Sequence, residues 1–437
     1  MHNQFLTLNR PAALITAPGS GQGKSMITAA LARLHRNAGR KVRVFKHGPD
    51  YLDPMLQELA SGQPVYQLHP WMTGEEECRW RLVEAAMDAD VILVEGSMGL
   101  FDGAPSSADL AKLAGIPALP VIDAWGMAQT FAAVAQGLAQ FDPELPIYDV
   151  IANRVGSQRH TDILKSALPS NLRLLGAVPR HEAMSIPDRH LGIVQASELN
   201  NLDAQLDKAA QLLKEQGLDR LPQSVTLSGY RPTPLPRYLE GTRIAIARDT
   251  AFAFIYRANL DALKEMGAEL SFFSPLTDTE LPDADALWLP GGYPELHAAR
   301  LAENTQMRDA IWAHHQANKP ILAECGGLMY CASQLRDIEG DNHALLDLLK
   351  GQALMQPKLQ AIGLQSVQTS LGELRGHTYH HSIFDTHLQP VCRARIQAGT
   401  EAEPVYRQGS LIASYFHGYF PSAPALVADI FTQQTCF

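Results

Sequence analysis

A glycine loop running into a lysine and a serine limits what the front of this chain can fold into. Ala13-Leu14-Ile15-Thr16-Ala17 is an uncharged run of the kind that forms a parallel strand covered on both faces. Pro18-Gly19-Ser20-Gly21-Gln22-Gly23-Lys24-Ser25 follows, and then Ile27, Ala30, Leu31 and Leu34 recur at helical spacing. Strand, loop and helix in that order describe a phosphate-binding loop, with Gly19, Ser20, Gly21, Gln22, Gly23, Lys24 and Ser25 as its ATP-binding candidates. Its glycines permit positive φ and bring backbone N–H groups against an anion at the positive end of the helix dipole. Lys24 adds a point charge for terminal phosphates, and Ser25 offers a hydroxyl to Mg2+. Pro18 replaces the first glycine of the usual pattern, so the loop opens differently from the common form.

With 437 residues the chain is too long for one ordinary core, and two domains are expected. A hydrophobic fraction of 46% and a charged fraction of 19% fit a soluble globular protein. The net charge of −10 argues against a nucleic-acid partner, since phosphate backbones need basic faces. Five scattered cysteines without metal-ligand spacing point to reduced thiols and a cytoplasmic location. No signal segment is evident, and no run of about eighteen apolar residues exists to span a membrane.

The next strand, Val42–Lys46, runs into His47-Gly48-Pro49-Asp50-Tyr51-Leu52-Asp53-Pro54. Ligands of open α/β sheets bind at the carboxyl ends of strands, so this loop is expected beside the phosphate loop. Asp50 and Asp53 either face a metal or reacting group or close Asx-type turns. A third strand, Val91–Val94, delivers Glu95 at its end, followed by Gly96-Ser97-Met98-Gly99-Leu100-Phe101-Asp102-Gly103. Mg2+ takes oxygen ligands and needs only one or two carboxylates beside phosphates, which makes Ser25, Asp50 and Glu95 the metal candidates. Asp102 either touches substrate or shapes its loop. Further strands are expected at Ala118–Asp123, Val150–Val155 and Leu174–Arg180. Asn153 is either a reader of the adenine edge or a strand-end turn asparagine. Leu202, Leu206, Ala209, Ala210 and Leu213 then form a helical stripe ending at Gly217.

From Asp219 to Gly241 the periodicity fades and prolines accumulate, so a linker over 219–241 is expected to separate domains at 1–218 and 242–437. Strands and helices alternate again from Arg243, so the second domain is also α/β. Within it, Pro320–Glu324 ends at Cys325-Gly326-Gly327 before a helical stretch. That is the cysteine form of a nucleophile elbow, with the helix start lowering the thiol pKa. Gly291 and Gly292, with Gly326, are candidate oxyanion and glutamine-binding donors, and His417 is the candidate proton shuttle. His377, His380, His381 and His387 make a histidine-rich patch without clean ligand spacing, and are read as structural.

A nucleotide site and a cysteine acyl-transfer site on one chain point to ATP-driven amidation. The chain resembles the cobyrinate a,c-diamide synthase family of cobalamin biosynthesis, including its hydrogenobyrinate-using version. The resemblance runs over nearly the whole length. It rests on Ala17-Pro18 through Lys24-Ser25, Gly48–Tyr51 with Asp53-Pro54, Trp71-Met72, Glu95-Gly96 with Gly99 and Asp102-Gly103, Asn153–Val155, Pro290–Glu295, Glu324–Gly327 and His417–Tyr419. The family shares Pro18. The resemblance implies an N-terminal P-loop domain like dethiobiotin synthetase with a parallel sheet, and a C-terminal class I glutamine amidotransferase domain of flavodoxin-like form. It also implies Mg2+ with ATP, glutamine and a corrinoid polycarboxylate as reactants, an acyl phosphate intermediate, and Asp50, Tyr51, Leu52, Asp53 and Asp102 on the substrate side. Cys325 is then the nucleophile and His417 its partner. Tyr419 stands where most class I glutaminases carry a glutamate, so a Cys–His dyad without a carboxylate orienter is expected. A homodimer is compatible with the resemblance. Rival readings are a cobyric acid synthase or nickel-sirohydrochlorin amidase, or a P-loop regulatory protein with an inactive amidotransferase-like domain.

Overall fold

The apolar runs of the front half assemble side by side into a sheet. The computed structural model describes residues 4–185, 188–189, 192–193, 201–432 and 436. Contacts divide the chain into two compact units, Met1–Thr233 and Pro234–Phe437. No helix among the described residues is long and apolar enough to cross a membrane.

In the first unit the strands run in the order Tyr66–Leu68, Val42–His47, Val91–Glu95, Phe5–Thr16, Ala118–Asp123, Asp149–Val155, Arg173–Pro179, each parallel to its neighbour. Leu14, Ile15, Val44, Ile92, Val121 and Ile151 are sealed between the helices on the two faces, which is why these strands read as continuous apolar runs. The helix Lys24–Asn37 starts at Gly23, whose φ of +93° suits glycine, and buries Ile27, Ala30, Leu31 and Leu34. Leu202–Glu215 packs its expected stripe inward and ends before Gly217, at φ +73°.

The first strand begins at Phe5, well before the expected Ala13. Its extra half pairs antiparallel with Ser224–Tyr230, Phe5 opposite Tyr230 and Pro11 opposite Ser224. The proline-rich stretch expected as a linker over 219–241 therefore contains a strand of the first unit, with Val225 and Leu227 buried and their neighbours outward. The prolines that suggested a linker flank that strand, Pro222 before it and Pro232, Pro234 and Pro236 after it, and its alternation of buried and exposed residues is the signal they obscured.

The second unit is a mixed sheet. Glu269–Phe273, Arg243–Ala247, Ala286–Leu289, Ile321–Glu324 and Leu411–Ser414 lie parallel, and antiparallel strands continue the sheet to Gly372–His380 and the short His417–Gly418. The parallel half sets the carboxyl ends of Ala286–Leu289, Ile321–Glu324 and Leu411–Ser414 next to one another, and Gly291, Gly292, Cys325, Gly326 and His417 follow those ends.

Candidate active sites

In the first unit the phosphate loop lies at the carboxyl end of Phe5–Thr16. Lys24 Nζ donates to the carbonyls of Met98 (2.5 Å) and Gly19 (3.3 Å), so the lysine curls over a loop of acceptor oxygens. Burial, and then the charge of Lys46, hold its ammonium below the ordinary lysine value. Met98 takes φ +49° to present that carbonyl. Ser25 Oγ donates to Glu95 Oε1 at 2.8 Å.

The strand neighbouring Glu95 supplies a residue that sequence reading did not single out. Lys46 Nζ lies 2.5 Å from Asp53 Oδ2 and 2.8 Å from Glu95 Oε1, and the other oxygen of Glu95 accepts from Gln57. All four side chains are buried. Burial, and then Asp53, push Glu95 up to about 7. Burial also acts against both partners of the Lys46–Asp53 pair, yet their mutual attraction prevails, raising the lysine and lowering the aspartate. The signal for Lys46 was a cation among Val44 and Phe45 at the end of a strand, which needs a carboxylate close by once buried.

Ser25, Glu95 and Asp53 form a set of hard oxygen donors, and Asp53 Oδ1 is buried without a hydrogen-bond partner. That donor set fits Mg2+. Asp50 has a different engagement: its Oδ1 accepts from the N–H groups of Leu52 (2.7 Å) and Asp53 (3.0 Å), closing an Asx-type turn that leads into the helix Leu52–Ser61. Tyr51 and Leu52 begin that helix. Asp102 Oδ2 accepts from Gly99 N–H at 2.9 Å and so shapes its own loop. Asn153 Nδ2 donates to the Gln22 carbonyl at 2.8 Å while its Oδ1 accepts from Arg154 N–H. A Cβ on Gly23 would meet that amide nitrogen at 2.4 Å, so the strand-end asparagine braces the loop directly. Gln22 reaches the other way, its side chain accepting from Asp123 N–H.

In the second unit Cys325 joins the strand Ile321–Glu324 to the helix Gly326–Cys331 with φ +48° and ψ −102°. A positive φ at a non-glycine residue is the strained corner that an elbow requires. Three glycines permit it. A Cβ on Gly327 would lie 2.0 Å from the Leu289 carbonyl, one on Gly292 equally close to that of Ala251, and one on Gly326 would lie 3.0 Å from Gly292 N. Gly292 and Gly326 are thus neighbours. Gly291 in turn abuts His417, whose Cε1 would be 2.3 Å from an added Cβ.

The thiol differs from expectation. Burial, and then the carboxylate of Glu295, push Cys325 well above its ordinary pKa, because a helix of six residues cannot offset a closed pocket. Burial, and then His377, keep His417 far below 6.5. Both shifts favour the uncharged forms, a thiol at Cys325 and a neutral imidazole at His417. His377 stacks on His417 with ring centroids 4.9 Å apart and meets the Tyr256 hydroxyl at 2.9 Å. His380 lies between the Ser382 carbonyl (2.8 Å) and Glu403 (3.0 Å), which engages both ring nitrogens. Tyr419 is buried edge-on to Tyr256. Glu324, adjacent to the nucleophile, accepts from Trp288 Nε1 and Gly418 N, both at 2.8 Å, and burial pushes it up to about 7.

Residues 13–193 match the CobQ/CobB/MinD/ParA nucleotide binding domain family, and residues 243–425 match the CobB/CobQ-like glutamine amidotransferase domain family. A hydrogenobyrinate a,c-diamide synthase of Pseudomonas aeruginosa is 56% identical over 96% of this chain and 97% of its own length. The protein of the same name from Stutzerimonas stutzeri is 55% identical over 97% and 98%. A cobyrinate a,c-diamide synthase of Herminiimonas arsenicoxydans is 45% identical over 96% of each chain.

Proposed function

The chain belongs to the cobyrinate a,c-diamide synthase family of glutamine-dependent amidating ligases, and from that premise we propose which macrocycle it amidates and how. Its substrate is hydrogenobyrinate or cobyrinate, whose a and c side-chain carboxylates become amides. The Pseudomonas aeruginosa and Stutzerimonas stutzeri relatives, both above half identity, carry the hydrogenobyrinate name, which favours the ring without cobalt. One observation carries the reading: a phosphate loop with its Ser25–Glu95–Lys46–Asp53 cluster and a strained cysteine elbow occur on the same chain.

ATP lies along Gly19–Gly23, with Lys24 turning from its carbonyl partners to the terminal phosphates and Asn153 steadying the loop from the neighbouring strand. Ser25, Glu95 and Asp53 would hold Mg2+, which offsets phosphate charge when bound. Asp50, Tyr51, Leu52, Asp53 and Asp102 border the macrocycle. A substrate carboxylate oxygen attacks the γ-phosphorus, ADP leaves, and an acyl phosphate forms. Lys46, held as an ammonium by two carboxylates, places a fixed positive charge where charge develops on the transferred group.

In the amidotransferase domain His417, neutral at rest, takes the Cys325 proton as sulfur attacks the side-chain carbonyl carbon of glutamine. Gly291, Gly292 and Gly326 direct N–H groups toward the oxyanion. The proton returns to nitrogen, ammonia departs, and water hydrolyses the thioester to glutamate. Ammonia then displaces phosphate from the acyl phosphate, and the cycle repeats at the second carboxylate. We place the reaction in the cytoplasm, where ATP and reduced thiols coexist.

The test is to supply hydrogenobyrinate and cobyrinate, each labelled with 18O in its carboxylates, with Mg2+, ATP and glutamine. The reading expects one 18O in the released phosphate for each amide formed. Amide formation with unlabelled phosphate would exclude the acyl phosphate, and no amidation of either ring would exclude the substrate.

A further inference from the structure

A glutaminase whose histidine has no carboxylate two residues later needs another means of holding that histidine against its cysteine. We propose that Glu324 is the positioning residue that does so, through the backbone of Gly418 and not through the imidazole. The inference rests on the reading of Cys325 and His417 as the reacting pair.

Glu324 immediately precedes Cys325, and Gly418 immediately follows His417. Glu324 Oε1 accepts the Gly418 N–H at 2.8 Å, so one hydrogen bond joins the chain neighbours of both reacting side chains. Consecutive Cα atoms are about 3.8 Å apart, which makes each neighbour's position nearly that of the reacting residue itself. The bond crosses a gap in the sheet ladder. Ile321–Glu324 and Leu411–Ser414 pair as far as Glu324 opposite Ser414, after which the chain passes through Tyr415 and Phe416 before His417. Beyond that point His417–Gly418 is only a two-residue strand on the edge of Gly372–His380.

The remaining backbone contacts complete a clamp. Asn259 donates to the Gly418 carbonyl and accepts from Phe420 N–H, both at 2.8 Å, and Tyr419 N–H meets the Arg375 carbonyl at 2.7 Å. Glu324 connects this segment to the nucleophile's strand through its side chain. Its second oxygen accepts from Trp288 Nε1 at 2.8 Å. Two facing N–H donors require an acceptor at both oxygens, which a carboxylate provides and an amide does not. The glutamate is 5% exposed, so water does not replace either bond.

The experiment compares Glu324→Gln, Glu324→Asp and Trp288→Phe in the full-length chain. Glu324→Gln turns a donor toward one of the N–H groups. Glu324→Asp keeps the charge but withdraws it by one methylene, and thus supplies a charged variant where the amide fails to fold. A displacement of the pair by a fraction of an ångström to 1 Å is expected to lower glutaminase kcat on the order of ten- to a hundredfold, with KM for glutamine within about twofold. Amidation with added ammonium is expected to stay at the parent rate. Trp288→Phe, which leaves the Gly418 bond in place, is expected to cost glutaminase kcat about threefold or less. Parent kcat in either Glu324 variant, or an equal loss in Trp288→Phe, would overturn the positioning role. Cys325→Ala, run alongside, separates the two readings: if it still splits glutamine, the reacting pair itself is misassigned, whereas an inert Cys325→Ala beside a fully active Glu324→Gln rejects only the positioning.

Discussion

Lys46 Nζ and Glu95 Oε1 meet at 2.8 Å as register partners on adjacent parallel strands, both sealed from solvent. Asp53 closes on the same ammonium from the following helix. Removing the cation leaves two carboxylates uncompensated in a closed environment, where breaking one partner of a buried pair costs about 3–5 kcal/mol. Lys46→Met is therefore expected to lower the free energy of unfolding by an amount of that order, read as a lower urea midpoint, and to abolish ATP-dependent amidation. A parent-like midpoint would mean the cluster is relieved in some other way.

Lys24 donates to the carbonyls of Gly19 and Met98 and forms no ion pair among the described residues, so its loss breaks no buried salt bridge there. Lys24→Gln is expected to remove amidation with glutamine and with ammonium alike, while glutamine hydrolysis persists. Amidation at the parent rate would show that the loop does not carry the phosphates.

The elbow depends on glycine. A Cβ on Gly327 would lie 2.0 Å from the Leu289 carbonyl, a backbone atom that cannot swing aside. Gly327→Ala is expected to destabilise the amidotransferase domain by at least the 1–3 kcal/mol typical of overpacking, with glutaminase lost and ammonium-dependent amidation retained. Calorimetry checks the first outcome and rate assays the second.

Stability should fall in mild acid. Burial holds His35 and His69 at about 4, with Arg40 adding to the effect at His35. The unfolded chain binds these protons near pH 6.5 and the folded chain only near 4, so unfolding gains as pH drops through that window. Each histidine contributes about 1.4 kcal/mol per pH unit within it. His35→Gln is expected to flatten the slope of unfolding free energy between pH 6.5 and 4 by one proton. An unchanged slope would contradict the assignment.

Much of this was legible in the residues. The loop Gly19–Ser25, the elbow at Cys325 and the stripe from Leu202 to Leu213 carry local signals, namely glycine at tight corners and periodic apolar positions, and these are what a linear pattern encodes. What lay outside that pattern depended on pairing across the chain. Lys46 meets Asp53 and Glu95 only once two strands and a helix converge. Glu324 acquires its partners only when Trp288 and Gly418 arrive from other strands. Asp50 reads as a metal candidate or as the closer of an Asx-type turn, and which it does depends on the local geometry, which engages its Oδ1 in the turn. The thiol's rise in pKa lies outside the local pattern for a related reason, since burial is a property of the assembled pocket and not of the turn.

Cys325→Ala assayed with two nitrogen sources tests most directly whether that sulfur releases the nitrogen that the ATP-dependent half consumes. Full-length variant, Mg–ATP and macrocycle are mixed with either glutamine or ammonium, and amide product is counted by mass. Amidation from ammonium at the parent rate, with none from glutamine, is the expected result. Product from glutamine in the absence of that sulfur would contradict the account.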